Sequence, residues 1–203
     1  GSDDAEFGDP EGSVQGFNNG NWSAISTIDD SWELYNAIRC VSEFLESMEK
    51  VDFSKYYYDS KYEDQMEQVA TFTYQARVLR AFYLFELARR YGDIPVPMKM
   101  LSIDEANSIK KTPFDQVIGF IVSECDECAA KLPETYIGML DDEYGRVTKG
   151  FAMAVKSKAL LYAASKLHNP EGDAEKWKKA AQSALDIINL GLYVLDSGDK
   201  VNT

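Results

Sequence analysis

Few side chains in this sequence have the company that chemistry requires. Cys125-Asp126-Glu127-Cys128 has C-x-x-C spacing, but a redox pair needs its first thiol at a helix N-terminus after a strand, where the thiolate is stabilised. Here the pair falls inside a helical pattern and reads as two small apolar residues on one helix face. Zinc needs paired ligands at standard spacing, and one histidine with three dispersed cysteines does not supply them. His168, in Leu167-His168-Asn169-Pro170, reads as a partner for the last carbonyls of a helix. Carboxylates abound without one pair standing apart, and no Ser-His-Asp order or phosphate loop is present. The reading is a protein that is not an enzyme and uses no cofactor and no metal.

Binding is better supplied. A sugar offers an apolar C–H face and a rim of hydroxyls, so its site needs an exposed aromatic ring beside amides or carboxylates. Trp22 stands in a loop-like stretch among Asn18, Asn19 and Asn21. Tyr56-Tyr57-Tyr58 is a second aromatic run in a connection. The candidate ligand-binding residues are Trp22, Asn19, Asn21 and Tyr57. Trp32 and Trp177 have helix-anchor spacing and are expected in the core. Arg80, Arg89, Arg90, Asp93 and Arg146 are placed to bridge helices to loops through ion pairs. The chain carries 34 acidic and 21 basic residues, a net charge of −13, which speaks against nucleic acid or an anionic membrane surface as partner.

The elements that position these residues are helical. Residues 1–30 read as a tag remnant (Gly1-Ser2) and an N-terminal loop region, and residues 31–203 as a helical domain. Asp30 and Glu33 are spaced as a capping box, and Trp32, Tyr35, Ile38, Val41, Leu45 and Met48 recur at helical spacing to about Lys50. Ser60 and Glu63 suggest a second box, after which Met66, Val69, Phe72, Ala76, Leu79, Tyr83 and Leu87 carry a long helix to Tyr91. Between Ala76 and Tyr91 that helix is apolar around most of its circumference, as a helix packed on several sides must be. Gly92 ends it and Pro95 prevents resumption.

A loop to Lys111 follows, with a short turn at Ile103–Asn107 that Ser102 and Glu105 could cap. Thr112 and Pro113 announce the next helix, which runs to Pro133. Thr148 opens a helix over Ala152–Lys166, and Asp173 caps another over Glu175–Leu190. No alternating strand pattern appears.

The helices about 31–92 and 112–168 form two antiparallel pairs, with a fifth, unpaired helix at about 173–190. Trp177, Ala180, Ala181 and Ala184 repeat the spacing of Phe114, Val117, Ile118 and Ile121. This is the first-helix spacing of a tetratricopeptide repeat, and long inserted loops account for the distance beyond the roughly 34 residues of a bare repeat. The expected fold is all-α in the main, tetratricopeptide-like. An unpaired repeat helix cannot bury its apolar face alone, so the chain is expected to be a fragment of a longer α-rich protein.

Four segments carry a family resemblance. Arg80-Ala81-Phe82-Tyr83-Leu84-Phe85-Glu86-Leu87, running into Arg90-Tyr91-Gly92-Asp93-Ile94-Pro95, resembles the SusD/RagB signature. So do Arg146-Val147-Thr148-Lys149-Gly150 with the helix to Asn169-Pro170, Trp177 through Tyr193-Val194-Leu195, and Trp32 through Glu46. The likeness spans roughly residues 22–196. It implies an outer-membrane, lipid-anchored nutrient-binding protein on the extracellular face of a Bacteroidetes cell. Such a protein captures glycans, sometimes peptides, and passes them to a SusC-like TonB-dependent transporter. Membrane contact would be only through a lipid anchor outside this sequence. The reading from another class is a helical-repeat adaptor that binds protein or peptide partners.

Overall fold

The structure, a computed structural model, describes residues 8–9, 15–23, 25–27, 30–137 and 145–194. Gly1-Ser2, Asp29, Leu195 and the 138–144 part of the expected loop lie outside the described residues. The chain divides into two compact units, residues 1–32 and 33–203.

In the first unit the stretch expected to be loop contains a short helix, α1 (Gln15–Asn19). Gly20, at φ 73°, ends it in the left-handed region that favours glycine. Beyond it, Ser23 and Ser26 exchange both backbone hydrogen bonds (2.9 and 3.1 Å) in a tight antiparallel turn.

The second unit is mainly helical, as the periodicity requires: α2 (Leu34–Met48), a 3₁₀ turn (Ser54–Tyr56), α3 (Tyr62–Tyr91), α4 (Ile103–Ser108), α5 (Phe114–Ala129), α6 (Lys149–Ala164) and α7 (Ala174–Asn189). The long helices pack in sequence order, α2 on α3, α3 on α5, α5 on α6 and α6 on α7, with α3 also touching α6. α3 therefore has neighbours on several sides, and Val78, Ala81, Leu84, Phe85, Leu87 and Ala88 are all buried. From Ala81 onward they meet Ile38 of α2, Val117, Ile118 and Ile121 of α5, and Val155 and Ala159 of α6 in one cluster, while Val78 packs with Cys128, Leu132, Val147 and Ala152 in a second. Each such large aliphatic side chain contributes about 1.5–3 kcal/mol by leaving water.

The residues after α3 act as a joint. Gly92 takes φ 70°. Asp93 accepts a hydrogen bond from the Phe114 backbone N–H (2.8 Å) and so caps α5. Ile94 is fully buried and exchanges backbone hydrogen bonds with Thr112 (3.2 and 2.8 Å), closing the base of the long loop. The Tyr35 hydroxyl donates to the Pro95 carbonyl (3.0 Å). The cap expected from Thr112 is thus supplied by Asp93: α5 begins after Pro113, and its first N–H, that of Phe114, points to the Asp93 carboxylate.

Other start signals divide in the same physical way. Ser102 and Glu105 form their reciprocal box, Thr148 accepts from Phe151 N–H, and Asp173 accepts from Glu175 N–H. The boxes at Asp30/Glu33 and Ser60/Glu63 do not form: α2 and α3 start without a side-chain cap. Asp30 instead accepts from the Thr27 hydroxyl (3.1 Å), and Asp59 takes the Lys61 N–H (2.8 Å). Local side-chain turns compete successfully for the same groups.

The arginines and tryptophans need correction. Arg80 joins helix to helix, reaching Glu124 of α5 at 3.2 Å. Arg89 and Arg90 both pair with Glu86 inside α3 (2.6 and 2.7 Å). Among the described residues, Arg146 and Asp93 are seen to connect loop to helix. Arg146 stacks over Tyr136 (4.2 Å) and Phe72 (5.2 Å) and donates to Gln68 and Gln75 (3.2 and 3.4 Å). Trp32 precedes α2 and is 52% exposed, and Trp177 is 49% exposed; neither is a core anchor. The buried residues of α7 are the small Ala180 and Ser183, which let it approach α6 closely without using its tryptophan.

His168 also differs from expectation. Its ring stacks on Phe114 (3.6 Å between centroids, 8° between planes), and burial pushes its pKa below the ordinary imidazole value. Cys125 and Cys128 are buried on α5 as the helical pattern indicates.

Candidate ligand-binding site

Asn19, Asn21 and Trp22 share one turn of the first unit. The Asn19 side-chain carbonyl accepts from the Asn21 backbone N–H (3.0 Å), a short Asx-type closure that Asn favours. This bond leaves the Asn19 side-chain NH₂ and the whole Asn21 side-chain amide unused by it. Trp22 is 57% exposed. The indole thus presents a large apolar surface with two amides close along the chain.

Tyr57 lies in the second unit and is described with that unit. The connection that holds it is built by two carboxylates. Asp52 accepts from Ser54 N–H (2.9 Å), and the Ser54 hydroxyl together with that N–H lowers its pKa; Asp59 accepts from Lys61 N–H. The 3₁₀ turn sits between these two local closures. Tyr57 is 67% exposed and meets Tyr58 and Tyr62 edge-on, with centroids 5.6 and 5.7 Å away. All three rings of Tyr56-Tyr57-Tyr58 are exposed.

Beside this run lies a cleft of about 320 Å³, lined by Phe53 and Tyr56 from the connection and by Tyr62, Gln65, Met66 and Phe72 among residues of α3. Met66, Val69 and Phe72 carry the helical spacing of α3 toward its start. They are only half-buried, because this first part of α3 extends beyond the core formed from Ala76 onward. The spacing 62, 65, 66, 69, 72 was legible as one helix face; what faces it was not.

A second cleft, of about 420 Å³, separates α2 from the loop that carries α4. Ile38, Pro95, Pro97, Leu101 and Ala106 give it apolar walls. The Tyr35–Pro95 bond and a bond from Met100 N–H to Glu46 (2.9 Å) hold those walls together. Burial pushes the Tyr35 hydroxyl up to about 12, so it stays protonated and donating at neutral pH. Among the described residues no group of His, Cys, Asp and Glu is arranged to hold a metal ion, and no helix is long and apolar enough to cross a membrane.

Comparison with known proteins finds relatives that share this fold. A SusD-like protein, P2, of Formosa agariphila is 30% identical over 127 residues, which cover 62% of this chain and 22% of that protein. A SusD-like carbohydrate-binding protein of Bacteroides fragilis superposes with a TM-score of 0.66 at 25% identity, over 93% of this chain and 32% of the other. The chain is thus similar in sequence and in fold to SusD-like proteins. A laminarin-binding SusD-like protein is similar over 86% of this chain and 33% of its own length, with a TM-score of 0.63 and 25% identity. No family model matches the chain. The chain spans between about a fifth and a third of the length of these relatives.

Proposed function

We propose that the protein carrying this chain, held to the outer membrane by a lipid anchor, binds glycans at the bacterial cell surface and delivers them to a SusC-like TonB-dependent transporter. The observation that carries this reading is the fold shared with relatives described as carbohydrate-binding and laminarin-binding. The chain adds exposed aromatic rings beside amides, at Trp22 with Asn19 and Asn21 and around Tyr57. Capture by stacking and hydroxyl hydrogen bonds followed by release needs no bond-breaking group, in keeping with the absence of a catalytic constellation in the sequence.

The test is affinity electrophoresis and calorimetry on the full-length protein against a glycan panel that includes laminarin. Trp22→Ala is expected to weaken binding about tenfold, equivalent to about 1.4 kcal/mol. Unchanged affinity removes Trp22 from the site.

The apolar cleft between α2 and α4 favours a second reading, an adaptor that seats a peptide. Binding of an apolar peptide library in competition with no glycan would support it over the first.

A further inference from the structure

We propose that the cleft between the 53–58 connection and the first turns of α3 is a subsite for a neutral sugar unit, distinct in sequence from the Trp22 turn. The inference rests on the glycan reading above and adds to it a location, a set of contact residues and a charge class. Three independent features point the same way.

The first is the lining. Every side chain that lines the cleft is uncharged, and four of them are aromatic: Phe53, Tyr56, Tyr62 and Phe72. Such rings match the C–H face of a pyranose, and a concave site of this size lies at the small end of ligand-pocket volumes. The Arg146 guanidinium, which touches two of these walls, is held by Gln68 and the Phe72 ring, and burying a ligand charge without a partner is expensive.

The second is hydrogen-bonding capacity. The Gln65 side-chain amide and the Tyr56 and Tyr62 hydroxyls make no hydrogen bond to other described residues. An amide brings two donors and an acceptor, and each hydroxyl brings both functions, which is what vicinal sugar hydroxyls require. Gln68 is different: its carbonyl is already taken by Arg146 at 3.2 Å, so it serves as wall.

The third is preorganisation and field. Tyr62 is buttressed by Tyr57, and the connection is locked by the Asp52 and Asp59 turns, so little ordering cost remains to be met on binding. Asp52, Asp59, Glu63, Asp64 and Glu67 flank the cleft in sequence against Lys55 and Lys61. Lys55 lies over the Tyr56 ring at 5.0 Å from its centroid. The surrounding excess of carboxylates disfavours uronic or sulfated chains.

Calorimetry on the full-length protein tests this with laminarihexaose, maltohexaose and oligogalacturonate as probes, comparing the wild type with Trp22→Ala, Tyr62→Ala and Gln65→Ala. Tyr62→Ala and Gln65→Ala are each expected to weaken a neutral hexaose about tenfold. Gln65 is exposed, so its variant should keep the wild-type melting temperature and report on binding even if Tyr62→Ala unfolds. Neutral-glycan affinity unmoved by Gln65→Ala overturns the subsite while leaving the glycan function intact. Preference for oligogalacturonate overturns the charge class. A wild-type protein that binds no glycan in a wider panel overturns both readings together.

Discussion

At the scale of the residue, the three cysteines show how burial assigns a role that spacing alone leaves open. Cys125 and Cys128 satisfy C-x-x-C, yet burial pushes their thiols up to about 12 and about 11 respectively. A thiol in that range carries almost no thiolate at neutral pH and is a poor nucleophile. Cys40 is exposed on α2. Titration with a chromogenic disulfide reagent at pH 8 is expected to modify Cys40 alone in the native protein, and all three cysteines after denaturation. Fast reaction of a second thiol in the native state would show that α5 is not buried as described. Sequence reasoning reached the right answer here because the helical period around the pair is strong. It missed the exposure of Trp32 and Trp177, since the apolar character of tryptophan does not say which neighbour, if any, will cover it.

At the scale of the element, the joint between α3 and α5 is ionic as well as apolar. Glu124 is mostly buried and accepts from Arg77 (2.7 Å) and Arg80 (3.2 Å), and Arg77 also reaches Glu127 at 2.7 Å. Arg80 is itself buried, with Phe120 6.0 Å from its guanidinium. Removing the carboxylate leaves that guanidinium without its counter-ion. Glu124→Ala is therefore expected to cost about 3 kcal/mol in urea unfolding. The double replacement of Arg80 and Glu124 by methionine should recover much of the loss, because the penalty comes from the orphaned charge. A single-variant loss below about 1 kcal/mol would mean the pair is solvated. None of this was readable from the sequence, where Arg80 was expected to meet a loop: its partner lies 44 residues away and is chosen by how α5 docks. By contrast Gly92, with its positive φ, and the Ser102, Thr148 and Asp173 caps were legible, since each depends on residues within a few positions.

At the scale of the whole molecule, the charge balance of −13 sets what the surface repels. At low ionic strength the Debye length reaches about 30 Å, so the field acts over the width of the domain. The 203-residue chain is expected to pass unretained through a heparin column at about 10 mM salt and to bind an anion exchanger. Retention on heparin would reveal a local basic patch that the total conceals and would weaken the case for a neutral ligand.

The sequence by itself determined the helices, their order, the glycine and proline stops, and the family likeness, because these rest on short-range periodicity and on contiguous motifs. It also singled out Trp22 with its asparagines as a candidate ligand-contact stretch, whereas the exposure of Trp22 is seen only in the structure. Only the tertiary structure decided what the Asp93-Ile94-Pro95 exit does: it caps α5, bridges to Thr112 and receives Tyr35. Only the tertiary structure set the first turns of α3 against the tyrosine connection and opened an uncharged cleft there. Those outcomes depend on which distant surfaces meet, and packing between residues far apart in the chain leaves no local period to read.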